Sequence, residues 1–404
     1  MLTFAYTAKT ENGQLATGEM QAVDANAAAQ TIMAKGFYPI KIEQKKSSSG
    51  ILELNIFQGV STKAKAELMN QFSTLISAGL PVAQAFSVLI QQIDNPYLKK
   101  VFLNILNDIQ NGSSLSSAFS KYPKIFTVTD ISLIESGEAS GALDTVLKRM
   151  ARQLEKDKAL KSKVRGAMIY PSFVIAVVIG VIAVMLMSVM PKLADLYAGF
   201  KGKLPFITQL MLNISDILIH YWWVMVFGII MLAVFARSFI NTPYGRYFWD
   251  QAKLSIPGIG ALIQKIILAR FTRTLGTLMG AGVPVLDALS ISSKACGNVI
   301  YEIEVKKVAQ TVRGGAALSD PLKKNPLFPP VVGQMINVGE QTGEMDQMLE
   351  GLANYYEDEV DNIIKGLSSL MEPIIIVVLG VVVGGILVAI MLPIYSLSQV
   401  MFKQ

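Results

Sequence analysis

Cysteine and histidine are almost missing: Cys296 and His220 are the only ones in 404 residues. A lone cysteine forbids an internal disulfide and leaves no Cys-based zinc site. A lone histidine, beside an apolar run, leaves almost nowhere for a His-based triad or a His-rich metal site. No GxxxxGK[ST] string occurs, so there is no Walker-type phosphate cradle; GFKGK at 199–203 lacks the spacing. The opening MLTFAYTAKTENG has no basic segment leading into an apolar core. We expect no cleavable signal peptide and a cytoplasmic N-terminus. No cofactor is implied.

Charge is also scarce. Only 16% of residues are charged and 52% are hydrophobic, too apolar for an average soluble protein. The net charge of +6 suits an anionic membrane surface. The basic residues are not interleaved with aromatics in one patch, so no nucleic-acid partner is expected.

Charges are absent from three long stretches: 26 residues between Arg165 and Lys192, 20 between Asp216 and Arg237, and 30 between Glu372 and Lys403. Each is long enough to span a bilayer, which takes about 20 apolar residues. Lys and Arg cluster before the first stretch, from Arg152 to Arg165, and after the second, at Arg237, Arg246 and Lys253. The positive-inside rule places these flanks in the cytoplasm and the C-terminus outside. The spans carry no acidic groups, which argues against an intramembrane aspartyl protease and against a transporter or proton pump. Gly380 and Gly384 form a GxxxG spacing, read as close helix packing.

What is present is written twice. Leu75–Val82 (LISAGLPV) returns as Leu278–Val285 (LMGAGVPV), 203 residues later. After a one-residue slip the offset is 202. Gly137, Glu138 and Gly141 then match Gly339, Glu340 and Gly343, and Pro171 matches Pro373. A repeat this long is a duplicated domain. Leu68, Phe72, Leu75 and Ile76 make one helical stripe, as do Leu268, Phe271, Leu275 and Leu278. Gly79 and Gly282 are predicted to end their helices in the left-handed conformation, with Pro81 and Pro284 opening the next helix at its first position. At the glycine–carboxylate corners, Ser140 and Thr342 are expected to cap the following helix, with Asp144 and Asp346 in its first turn. Glu138 and Glu340 have two readings: they shape the corner, or they dock a partner or second copy.

The fold class is therefore mainly α. It comprises a small N-terminal β-β-α-β unit (1–45), a linker (46–61), helical module 1 (62–167) and a first span (168–191). An external loop (192–216) and second span (217–236) precede module 2 (237–371), a third span (372–396) and an external tail (397–404). The N-terminal unit rests on the alternation of Phe4, Tyr6 and Ala8, an Asn12-Gly13 turn, a helix capped by Asp24 and a strand over 37–42. Lys156 and Asp358 occupy equivalent repeat positions with opposite charge. The basic run before the first span and the acidic run before the third have two readings: they face each other, within or between chains, or they are two separate solvated faces.

The AGLPV and AGVPV hairpins, the GE-x-x-G corners, the Tyr170-Pro171 and Glu372-Pro373 span mouths and the opening FAYTAKTENGQLATGEMQA are together similar to one family. The whole chain resembles the polytopic inner-membrane platform proteins of type IV pili and type II secretion systems, the PilC/GspF family. Glu372 departs from the first copy, which has Tyr170. The resemblance implies a non-enzymatic protein that couples a separate hexameric assembly ATPase to polymerisation of pilins or pseudopilins. A retraction ATPase, other inner-membrane alignment proteins, membrane lipid and a second copy of the chain, as a homodimer or higher oligomer, are the further partners it implies.

Overall fold

The computed structural model describes residues 2–9, 15–22, 36–44, 60–192 and 206–401, with single positions at 29, 31, 33 and 195. The chain divides into two units, Met1–Gly59 and Val60–Gln404.

The first unit is an antiparallel sheet of β1 (Leu2–Lys9), β2 (Leu15–Ala22) and β3 (Tyr38–Gln44), with β1 in the centre. Leu2 pairs with Ala22 and Lys9 with Leu15. Against β3 the register slips between Thr7 and Ala8, which pair with Lys41 and Pro39. Pro39 has no N–H to give the ladder, and a bulge is where such a residue fits. The Asn12-Gly13 turn, the Asp24 cap and the 45–50 linker run lie outside the described residues.

The second unit is helical and repeats itself in register. Its first copy is α1 (Thr62–Ser77), α2 (Val82–Gln92), α3 (Pro96–Gln110), α4 (Leu115–Ser120), α5 (Val128–Ser140) and α6 (Leu143–Val184). Helix α6 passes through a π-helical turn, Met185–Val189, and stays helical to Lys192. Then come α7 (Phe206–His220), α8 (Trp222–Ile240) and α9 (Pro243–Ser255). The second copy is α10 (Ile259–Gly280), α11 (Val285–Ala295), α12 (Val299–Arg313), α13 (Ser319–Lys324), α14 (Pro330–Thr342) and α15 (Met345–Met401).

Equivalent positions fill one shared core. Phe72, Phe86, Phe102 and Phe119 are buried in the first copy; Leu275, Leu289, Val305 and Leu322 replace them in the second. Copy one packs ring on ring, with Phe119 and Phe126 stacked at 4.0 Å. In copy two Tyr301, standing where Leu98 stands, places its ring edge-on to Phe328 and donates its hydroxyl to the Leu327 carbonyl at 2.9 Å.

The helical hairpins close as expected at their glycines. Gly79 has φ +85° and Gly282 φ +83°. Their N–H groups donate to Ile76 and Met279, and the following N–H groups reach back to Leu75 and Leu278. This paired pattern satisfies carbonyls a helix end would otherwise leave bare. Pro81 and Pro284 sit one position earlier than expected, at the N-cap rather than at the first helical residue. Their ψ values of 144° and 142° are extended, while their carbonyls already accept from Ala85 and Ala288.

Among the described residues three helices are long and apolar enough to cross a membrane: α8 and parts of α6 and α15. Little of each apolar window is buried within the protein, the surface a bilayer would cover. At the span mouths, Pro171 and Pro373 do not interrupt the chain's helices. Each lies inside a helix that starts in the module core and continues into the span. A proline there loses one backbone bond, but an apolar segment has no water to satisfy exposed backbone, so remaining helical wins. Residues 206–216, assigned from sequence to an external loop, form most of α7. The stretch LPFITQLMLNIS carries no charge. Met211, Leu212 and Leu218 pack with Leu186, Met190 and Ile390 at the ends of the first and third spans. Ser215 Oγ donates to the Leu186 carbonyl at 2.5 Å, inside the π-helical turn. The expected external tail (397–404) is likewise helical as far as Met401.

Candidate functional site: two corners and the face between the modules

The glycine–carboxylate corner has a division of labour. Helix α4 is only six residues long, and its first N–H groups need an acceptor. Glu138, reaching across from α5, accepts from Leu115 N at 2.5 Å, from Ser116 N at 3.1 Å and from Ser116 Oγ at 2.6 Å. Glu340 repeats this on α13, accepting from Leu318 N at 2.5 Å and Ser319 N at 3.2 Å. In both copies the two carboxylate oxygens are taken up inside the module. A negative group at a helix start also meets the positive end of its dipole.

The two glycines of each corner serve different needs. Gly141 (φ +68°) and Gly343 (φ +76°) end α5 and α14 in the left-handed conformation. Gly137 lets α5 approach α6 closely: an added Cβ would stand 3.0 Å from Val146 Cβ and 3.3 Å from Leu143 Cα. At Gly339 it would stand 3.0 Å from Met345 Cα. The expected caps are corrected: Ser140 Oγ donates to its own helix at the Ser136 carbonyl, and the N-cap of α6 is Ala142, which offers no side-chain cap. Thr342 Oγ1 likewise donates back to Val338, and accepts only a 3.3 Å bond from Glu344 N. The positive-φ glycine turns the chain so sharply that the preceding hydroxyl stays with the helix it ends.

Replacing Glu138 by alanine orphans the starting N–H groups of α4 and is expected to cost roughly 1–3 kcal/mol. Glu340→Ala should cost about the same, and the pair should show as two additive drops in urea-unfolding midpoint of the solubilised protein. A stability change near zero for both, with loss of a bound partner, would instead favour the docking reading.

The two modules meet along α6 and α15, and of the two readings of the charge runs the facing one, within the chain, is what the structure has. Lys156 Nζ lies 3.0 Å from Glu357, one residue from the repeat-equivalent Asp358. Arg152 pairs with Glu350 at 3.2 Å and Lys163 with Asp361 at 2.5 Å. Arg273 of α10, unremarked in the sequence, donates to Glu357 at 2.6 Å and to Asn354 at 2.7 Å. Glu357 therefore joins its own module's arginine to the other module's lysine. The spacing of Glu350, Glu357 and Asp361 (i, i+7, i+11) is the helical-face signal that could have found this row. Ser136 Oγ donates to the Ala281 carbonyl at 2.6 Å, bringing the second hairpin (Gly282, Pro284) against the helix that carries Gly137 and Glu138. The span residues lie elsewhere. From Gly141 to Tyr170 is about 40 Å along the helix, and Tyr170 and Glu372 are exposed while Pro171 is buried. The predicted residues thus form several structural devices rather than one constellation.

Titratable groups fit the same reading. Burial pushes Asp157 above the ordinary carboxylate range; Arg270, Lys161 and Lys65 pull it down, and Asp130 adds to the rise. Cys296 is buried, its Sγ on the Ser292 carbonyl at 3.3 Å. Burial, with Glu302 adding, pushes its thiol up to about 12 from 9.0. A raised thiol pKa contributes stability that is whole below pH 9 and is lost as pH climbs toward 12. The expected result is slow thiol labelling at pH 8 that becomes fast only under denaturant, and a Cys296→Ala variant that loses less stability between pH 9 and 12. Among the described residues no group of three or more His, Cys, Asp or Glu could hold a metal. His220 Nδ1 lies 3.2 Å from the Asp216 carbonyl of its own helix.

The comparisons fall on the same repeat. The family described as "Type II secretion system (T2SS), protein F" matches residues 68–191 and again 271–393, and its N-terminal domain matches 1–43. A "Type IV pilus assembly protein PilC" of Myxococcus xanthus is 40% identical over 98% of this chain and 95% of its own. The PilC of Pseudomonas aeruginosa is 36% identical over 91% and 97%. A "Type II secretion system protein F" of Vibrio cholerae is 28% identical over the full length of both. Two family matches in one chain, in the register of the structural repeat, establish that this protein belongs to the type II secretion system protein F family.

Proposed function

We propose that the chain is a non-enzymatic inner-membrane platform for type IV pilus assembly. It couples a separate cytoplasmic assembly ATPase to the movement of pilins out of the bilayer. The observation that carries this reading is the continuity of α6 and α15 from module core to span. At 57 residues α15 is about 85 Å long. Displacement of a module at one end is delivered to the apolar segment at the other without an intervening loop. The positive flanks support a topology with both modules and the N-terminus in the cytoplasm and the C-terminal end outside. The corner and hairpin residues, Glu138 and Glu340 included, shape the modules; Tyr170 and Glu372, exposed on the long helices, are the candidates for contact with pilins or a second copy. Retraction by a second ATPase uses the same lever.

Identity favours the pilus over secretion. The pilus-assembly relatives, that of Thermus thermophilus included, are 32–40% identical, the secretion relatives 28–31%. The test is affinity capture of the tagged protein from crosslinked native membranes, with mass spectrometry of what accompanies it. Pilins and an assembly ATPase are the expected partners. Pseudopilins with secretion components would replace the pilus by the secretion machine. Neither set, under conditions that hold a known membrane complex together, would overturn the platform reading.

A further inference from the structure

Helix α9 carries an exposed aromatic face that the three spans leave unexplained. Tyr244, Tyr247 and Phe248 are 89%, 44% and 65% exposed and fall within about 100° around the helix axis. The other side is tied to module 2. Buried Asp250 accepts from Val299 N at 2.9 Å, and its backbone carbonyl accepts from Asn298 Nδ2 at 3.3 Å.

Position identifies what covers the free face. Span α8 ends at Ile240, and α9 starts at Pro243 after a two-residue turn. The turn is tight: Thr242 Oγ1 accepts from Gly245 N at 3.1 Å, and a Cβ on Gly245 would overlap the Phe239 carbonyl. Tyr244 therefore sits within about one helical turn of the end of the apolar span, the depth at which aromatic side chains collect at membrane surfaces. At 13 residues α9 is about 20 Å long, too short to cross a hydrocarbon core of about 30 Å. It cannot borrow length from α10. The two helices bend by 112°, and α10 is spent in the protein core through Leu268, Phe271, Leu275 and Leu278. The segment 237–255 is also cationic, with Arg237, Arg246 and Lys253 against Asp250. That charge matches an anionic leaflet.

We propose that α9 lies in the membrane plane, its aromatic face at the headgroup–acyl boundary of an anionic leaflet, and that it holds module 2 at fixed height above the bilayer. The inference rests on α8 being a span and not on the pilus reading. The test uses the full chain in vesicles of phosphatidylethanolamine and phosphatidylglycerol. Trp222, Trp223 and Trp249 are changed to Phe, and Phe248→Trp leaves one reporter. Lipids brominated near the glycerol end are expected to quench it at least about twofold more than lipids brominated at the chain ends, as an interfacial helix requires. Should Phe248→Trp fold poorly, Tyr244→Trp in the same tryptophan-free background, on the same face and 89% exposed in the native chain, reads the same contrast. Absence of quenching by either lipid would overturn the proposal, whether water or a second copy covers the face. Stronger quenching from the chain ends would overturn it in favour of insertion.

Discussion

A flexible six-residue Gly/Ser insertion between Gly166 and Ala167 will leave the protein in the membrane and abolish pilus assembly. Helix α6 is unbroken across this point, and the charge pairs that lock it to α15 lie on the module side, the last at Lys163. Six flexible residues remove the rigid connection while leaving both ends intact. Each part still folds by its own burial, so membrane level and protease resistance of the modules should be unchanged. The same insertion between Asn241 and Thr242, where the chain already turns between two helices, should be far better tolerated. Counting surface pili in both strains checks the pair of outcomes. Normal piliation with the first insertion would sink the lever.

Asp130→Ala is expected to cost roughly 3–5 kcal/mol, the penalty for leaving a buried partner charge alone. Asp130 accepts Lys65 Nζ at 2.5 Å, with the two side chains only 6% and 10% exposed. It also accepts Thr127 N at 2.6 Å and Thr127 Oγ1 at 2.8 Å, which forms the capping box of α5. The second module shows what replaces such a pair. By the repeat offsets, Lys65 corresponds to Leu268 and Asp130 to Val332, both fully buried. The helix start there is held by Pro329 and Pro330 instead of a polar box. A buried ion pair is often matched or bettered by apolar residues of similar volume. The double variant Lys65→Leu with Asp130→Val should therefore recover most of what the single change loses, less about 1 kcal/mol for the missing cap. Chemical unfolding of the four members of this cycle measures the recovery. A double variant as unstable as the sum of its singles would refute the equivalence.

Much of this architecture was legible because repeats and hydrophobic runs are local signals. The doubling of the helical module, the glycine-terminated hairpins and the three apolar stretches all follow from spacing and composition. Partners distant in sequence were not legible. Glu138 sits 23 residues from the N–H it caps, and nothing in GEASG announces that acceptor. Ser140 looked like a cap because serine before a helix so often is one. Its allegiance depends on the φ of Gly141, which the sequence permits but does not dictate. The helical continuity through Pro171 and Pro373 was not legible either, because proline breaks helices in water and in an apolar segment that rule gives way. The pairing of Lys156 with Glu357 rather than Asp358 depends on the rotation of two helices about each other, which a residue-by-residue repeat alignment does not carry.

The charge pattern between α6 and α15 has a consequence for stoichiometry. One helix of the crossing is cationic (Arg152, Lys156, Lys163) and the other anionic (Glu350, Glu357, Asp361). If a module met a copy of itself along this face, like charges would be juxtaposed, whereas unlike modules attract. The two copies of the repeat thus carry opposite charge on the face where they meet. Carrying both on one polypeptide supplies them in equal number and at high local concentration.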